Sequence, residues 1–393
     1  AERRFIEQFL SSLLRKSIKI GALGLGTEAT KAFLQVIWNQ KQYVYLDLSM
    51  NRLGDAGAFL LAEYIQTNPP IIHLDLKSNN ITSDGATSIF QAMEENNTLV
   101  SIDFSAVDGI DRNKIGTKGC QALASLLLQN EIISHLYLSM SGISADGCAF
   151  LSEALSKNTS LLHLDLSSNR FGTLGANNLF KEAYSLSSIE TLNLAHNGIT
   201  DSASASICRQ IELSKSIKNL DFTDNGFSKI LIKKLLHSMM NSQITTLLLS
   251  HNKINPHSSD TLYLILRDVP TLQVLDLSYN PLKDSCVSQI AEALTMNESL
   301  ISLDLTDTAF TDESAIKFGE VIEMNNTLQK LVLDTNTITD ISGIAIAQAL
   351  AKNKTLTQLS LKSNELGDAT APHFINSMQQ NNTILSIEID YNN

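Results

Sequence analysis

Apolar and polar positions follow two periods in turn, and the combined pattern returns about every 28 residues along nearly the whole chain. Two apolar residues flank one outward residue in Leu46-Asp47-Leu48, Leu74-Asp75-Leu76, Leu164-Asp165-Leu166, Leu275-Asp276-Leu277 and Leu303-Asp304-Leu305. That alternation predicts a short strand with one buried face. Further on in each unit stand two apolar columns four residues apart, for example Leu61 with Ile65, Ile89 with Met93, Leu235 with Met239 and Ile290 with Leu294. Such i, i+4 pairs mark one face of a helix. Each unit therefore reads as strand, turn, helix and return loop. No unit can cover its own apolar face, so the units must stack. The expected fold is an α/β solenoid curved as a horseshoe, with a parallel sheet on the concave face and helices on the convex face.

Every strand block closes on one slot: Leu23, Asn51, Asn79, Asn113, Ser141, Asn169, Asn197, Asn225, Asn252, Asn280, Thr308, Asn336, Asn364 and Asn392. Asn fills most of it because a carboxamide both donates and accepts, and can satisfy backbone groups where the chain leaves the strand. Ser141 and Thr308 can do part of that work; Leu23 cannot. Residues 1–16 read as a helical cap or half repeat, with Phe5 and Phe9 on the helical columns. Residues 17–393 read as about fourteen repeats in one continuous solenoid, with an insertion near 105–113 and a truncated last repeat. The ends predict a piece of a longer protein, because a solenoid needs polar caps.

This unit, with its "LDLSxN" turn and full helix, resembles the ribonuclease-inhibitor-like class of leucine-rich repeats from about Ile18 to Asn392. Return loops such as Asn96-Asn-Thr-Leu-Val-Ser-Ile-Asp-Phe104 and Asn353-Lys-Thr-Leu-Thr-Gln-Leu-Ser-Leu361 are similar to the arrays of NOD-like receptors. The resemblance implies a non-catalytic scaffold for protein–protein interaction, an adaptor or effector. Its alternatives are a GTPase-activating protein of the Ran-activator type and the ligand-sensing or autoinhibitory repeat domain of a NOD-like receptor. The fold is specific to the family; the partner is not.

Four scattered cysteines are expected to be packed thiols of a reducing, cytoplasmic compartment. Seven Asn-x-Ser/Thr sequons (Asn80, Asn96, Asn158, Asn297, Asn325, Asn353 and Asn381) would argue for secretion, but six belong to the recurring return loop, which explains them. No apolar run reaches the ~20 residues of a membrane span. The Gly24-Leu-Gly26 block imitates a dinucleotide fingerprint but lies in register with Arg52-Leu-Gly-Asp-Ala-Gly57. Ser278, Asp276 and His251 imitate a triad, and Asp108, Asp111 and Asn113 a cation loop. No catalytic, cofactor-binding or metal-binding residue is assigned, and no cofactor is expected.

The candidate site is the exposed strand face. Its central column holds Lys19, Asp47, Asp75, Asp103, Tyr137, Asp165, Asn193, Asp221, Leu248, Asp276, Asp304, Val332, Ser360 and Glu388. Strands about 4.8 Å apart set neighbouring carboxylates to repel by about 1 kcal/mol in water, a field that attracts a basic partner surface. In the column just before the Asn slot stand Met50, Met140, His196, His251, Tyr279 and Tyr391. Aromatic side chains on such a face are interface anchors. The residues expected to contact a protein partner are Asp165, Asp221, Leu248, His251, Asp276, Tyr279, Asp304, Tyr137 and His196. A net charge of −12 argues against nucleic acid. The chain is expected to be a monomer.

Overall fold

The computed structural model describes residues 16–40, 42–107, 109–181, 186 and 188–393. The sequence-predicted helical cap over 1–16 therefore falls almost wholly outside the described residues, as does Asp108. The chain forms two compact units, one built on residues up to Ile199 with Leu213–Ile217, the other on Thr200–Glu212 with Lys218–Asn393.

In the first unit, strands β1 (Ser17–Lys19), β2 (Tyr45–Asp47), β3 (His73–Asp75), β4 (Ser101–Asp103), β5 (His135–Tyr137), β6 (His163–Asp165) and β7 (Thr191–Asn193) pair in parallel and in sequence order. Between them run helices α1 (Gly26–Ile37), α2 (Gly54–Gln66), α3 (Ser83–Glu94), α4 (Gly116–Gln129) and α5 (Ala145–Lys157), then α6 (Gly172–Leu179). The second unit repeats this plan. Its helices are α7 (Ser204–Leu213), α8 (Lys229–Met239), α9 (Ser259–Asp268), α10 (Lys283–Leu294), α11 (Asp312–Ala315), α12 (Lys317–Met324), α13 (Asp340–Leu350) and α14 (Ala371–Gln380). Its strands, again parallel and in order, are β8 (Asn219–Asp221), β9 (Thr246–Leu248), β10 (Val274–Asp276), β11 (Ser302–Asp304), β12 (Lys330–Val332), β13 (Gln358–Ser360) and β14 (Ser386–Glu388). The pairing register places each slot beside the same slot of the next repeat, as in Leu46↔Leu74 and Leu275↔Leu303. Strand leucines and helix columns are buried together.

The Asn slot forms a buried ladder. Asn51 Nδ2 donates to Leu48 O (3.0 Å) in its own repeat and to Ile20 O (2.9 Å) in the repeat before. Its Oδ1 accepts from Leu23 N (3.2 Å) and Leu25 N (3.2 Å). The same pattern recurs at Asn79, Asn169, Asn280, Asn336 and Asn364. Thr308 manages one donation, to Leu305 O at 2.9 Å, and Ser141 reaches Phe104 O at 3.3 Å. The insertion leaves the ladder intact. Asn113 Nδ2 still donates to Leu76 O (2.8 Å), while the extra residues loop outward through a Val107–Ile110 bridge.

A second asparagine ladder closes the return loops. Asn96, Asn158, Asn297, Asn325, Asn353 and Asn381 are all buried, and each donates from Nδ2 to the helix end of the preceding repeat. A third link was not foreseen from sequence: a carboxylate in one repeat caps the helix of the next. Asp55 Oδ1 accepts from Thr82 N (2.7 Å) and Gly85 N (3.2 Å). Asp201, Asp284, Asp312 and Asp340 do the same one repeat along. Carboxylates at helix N-termini satisfy orphan N–H groups and the helix dipole together.

Candidate functional site: the strand face

Side chains at alternate strand positions point out of the sheet, so three outward columns line the face of each unit. The central column is the acidic one. Each of its aspartates bends back on its own chain. Asp47, Asp75, Asp103, Asp165, Asp221, Asp276 and Asp304 accept through Oδ1 from the N–H two residues on, at 2.8–3.0 Å. This Asx geometry has a cause in the ladder. In register, Ser278 N–H would pair with Leu249 O, but the Asn280 carboxamide takes that carbonyl at 2.9 Å. Asp276 supplies the displaced N–H with an acceptor.

The row is thus neither free nor simply solvated, which corrects the expectation of an exposed carboxylate column. The Asp residues are half-buried. Burial pushes the Asp165 and Asp304 carboxyls above the usual range, against the lowering effect of their hydrogen bonds to Ser167 and Thr306. Asp75 is raised likewise, first by burial, with the Lys77 contacts opposing. Lys77 Nζ lies 3.1 Å from both Asp75 and Asp103, an ion pair that partly offsets the charge there.

Tyr137 sits in β5 beside Asp165 in register, its ring 4.6 Å from that of His163, which stacks on His135 at 5.9 Å. Burial pulls the His163 pKa down, with Asp165 opposing and the neighbouring His135 adding to the shift. Tyr45 and His73 continue the same outward column. The sequence reading missed this column; period 2 alone would have found it, since these residues precede the Asp slot by two. His196 is exposed at its slot, two repeats beyond Tyr137.

In the second unit the structure joins His251 and Tyr279 closely. Their rings stack with centroids 4.0 Å apart and planes 8° from parallel. Tyr279 is 43% exposed. Both residues have left-handed backbone, φ 53° and 54°, a conformation that bulky side chains rarely adopt. Leu248 is only half-buried on β9, facing Asp276 in register, with Asp221 on its other side. Asp304 follows Asp276 on β11.

The triad imitation dissolves in this geometry. Ser278 Oγ donates to Asp276 Oδ1 at 2.6 Å and lies 2.7 Å from Ser250 Oγ, while His251 stacks on Tyr279. The proton that a base would remove is already held by a carboxylate. In the insertion, Asp111 pairs with Arg52 at 2.9 Å, and Asn113 is consumed by the ladder.

All four cysteines are free and buried, Cys120 and Cys148 included. Burial pushes the Cys120 and Cys286 thiols up to about 12. No helix among the described residues is long and apolar enough to cross a membrane.

Residues 258–393 match the family profile described as the TMOD/LMOD Leucine-rich domain, and residues 44–62, 67–90, 157–180 and 185–208 match a Leucine Rich repeat profile. No curated protein matches the chain. Among solved structures, the chain is similar to Leiomodin-1 Actin-Binding Site 2 at 24% identity, over 33% of this chain and 78% of that one, with a TM-score of 0.30. It is also similar to a chain in the crystal structure of the Rad7 and Elc1 complex in yeast, at 15% identity, over 99% of this chain and 88% of that one, with a TM-score of 0.52. The chain thus carries leucine-rich repeats, and its fold is a leucine-rich repeat solenoid. No enzymatic family is indicated.

Proposed function

We propose that this chain is a non-catalytic recognition scaffold that binds a protein with a basic surface on its strand face. The observation that carries the reading is the His251–Tyr279 stack standing beside the half-buried carboxylates of Asp276 and Asp304. An aromatic pair held rigid in advance loses little side-chain entropy on binding, as hot-spot anchors require. The carboxylates, locked by their own N–H groups, present a fixed negative field that favours encounter with cations. Asp221 and Leu248 extend this patch in the second unit. In the first, Tyr137, Asp165 and His196 are the corresponding contacts.

The TMOD/LMOD match over 258–393 spans Asp276, Tyr279 and Asp304, and supports the reading of the chain as a protein-interaction scaffold. The likeness to the Rad7 and Elc1 structure supports the fold and carries over no partner. Thiols raised in pKa by burial, and six of the seven sequon carboxamides sealed in a ladder, fit a reducing compartment and a cytoplasmic chain. The partner is a protein rather than a nucleic acid, given the net charge of −12.

Affinity purification from the native cell, with the natural chain and a His251→Ala/Tyr279→Ala variant as parallel baits, tests the reading. A partner retained by the first and lost by the second is expected. If every retained protein binds both baits equally, the strand-face assignment is wrong.

A further inference from the structure

The helix side of the second unit holds a feature that the strand-face reading does not use. One helical slot, six residues after the ladder position, takes a small residue in the repeats: Gly57, Gly85, Gly119, Gly147, Gly175, Ala203, Ser258, Cys286, Ser314, Ser342 and Thr370. Small residues there let adjacent helices approach. At Gly85 an added Cβ would lie 2.8 Å from the Ala58 Cβ. The exception is Leu231, fully buried on α8, in a repeat one residue short of the usual length. Helices α7 and α8 approach each other less closely than most neighbouring helix pairs do. The outward face of α8 becomes the floor of an open trough of about 880 Å³, walled by α7 and the start of α9.

The trough is basic in an acidic protein. Arg209, Lys229, Lys233 and Lys234 line it, and none of them forms an ion pair with a carboxylate among the described residues. Of the two acidic residues in the lining, Glu212 already accepts from Ser238 Oγ at 3.2 Å. Ile230, half-exposed, adds an apolar contact.

We propose that this trough docks an acidic segment of a partner polypeptide. Unpaired cations attract carboxylates, and a concave floor with an apolar residue suits a chain that can enter it. A bilayer is too flat to reach the floor. A long polyanion meets the repulsion of a chain with net charge −12, and the lining has no Phe, Tyr or Trp on which bases could stack.

The test uses a fluorescein-labelled poly-glutamate peptide, read by anisotropy at low and high salt against the whole chain. Saturable, salt-weakened binding is expected, with a loss of ~10-fold or more in a Lys229→Glu/Lys233→Glu/Lys234→Glu variant. A charge-matched Lys317→Glu/Lys352→Glu/Lys354→Glu variant should bind like the natural chain. So should Asp276→Asn, which separates this site from the strand face. If the first triple melts early, Lys→Gln versions, which keep the aliphatic stems, carry the same expectation. Absence of saturable binding, or equal loss in both triples, overturns the proposal. So does tighter, lysine-dependent binding of an oligothymidylate or of phosphatidylserine vesicles.

Discussion

The Asp276 carboxylate and the Asn280 carboxamide divide one backbone hydrogen-bond pair between them: Asn280 takes Leu249 O at 2.9 Å, and Asp276 takes the Ser278 N–H at 2.9 Å. The acidic row is therefore part of the fold before it is part of any interface. Asp276→Leu should cost about 1–3 kcal/mol by stranding a half-buried N–H, whereas Asp276→Asn, which keeps an acceptor, should cost far less. Denaturant unfolding of the two variants decides it. Asn193, accepting from Ala195 N at 3.0 Å, already shows that an amide fits this slot.

Binding tests must respect that coupling. Replacing Asp221, Asp276 and Asp304 by Asn, rather than Lys, removes charge and keeps the Asx bonds. If a basic partner binds this face, the triple Asn variant should associate more slowly at low salt, and the difference should shrink as salt rises. Stopped-flow association rates that do not change would count against an electrostatic role.

The ladder position Asn197 and the outward-column position Asn193 should differ in weight. Asn197, 1% exposed, donates to Leu166 O, Leu194 O and Ala195 O, and accepts from Asn169 N. Asn197→Leu should cost more than Asn193→Leu, which loses the single acceptor at Ala195 N. The latter is still not neutral, contrary to what an exposed side chain would give. Urea midpoints in the reverse order would mean that the ladder contributes little.

Acid should act on the fold through carboxylates of opposite sign, of which Asp340 and Asp304 are one of each kind. The Thr370 hydrogen bond, with the Gly367 and Thr370 N–H bonds, holds the Asp340 carboxyl below its ordinary value. Its stabilisation is complete above the unfolded pKa and is lost as pH falls through the folded one. Asp304 has the opposite sign. Raised by burial, it disfavours the fold once ionised, and that cost disappears as pH falls through its folded pKa. Asp340→Asn should flatten the acid limb of the stability–pH curve, and Asp304→Asn should raise stability near neutral pH relative to pH 4. Melting temperatures across pH 3–7 check both signs.

The thiols should be silent in the native state. With Cys208 pushed up to about 11 and Cys120 to about 12 by burial, the thiolate fraction at pH 8 is small and access is closed. An aromatic disulfide reagent should label none of the four cysteines until denaturant is added; fast labelling of the native chain would contradict the packing.

The sequence by itself determined the repeat, the strand and helix alternation and the buried asparagine slot, because each follows from a local period and from the hydrogen-bonding capacity of one side chain. It also located His251 and Tyr279 on the strand face. It did not show that the Asp column is tied to its own backbone, because that need arises only when the Asn280 carboxamide of one repeat takes a carbonyl of the repeat before. Likewise, Asp55, Asp284 and Asp340 became caps only when stacking brought the next helix onto them. The Tyr137–His163–His135 ring cluster and the basic trough over α8 depend on how neighbouring repeats are spaced. That Leu231 breaks a column of small residues can be read in the sequence; the trough over its helix exists only where successive repeats meet.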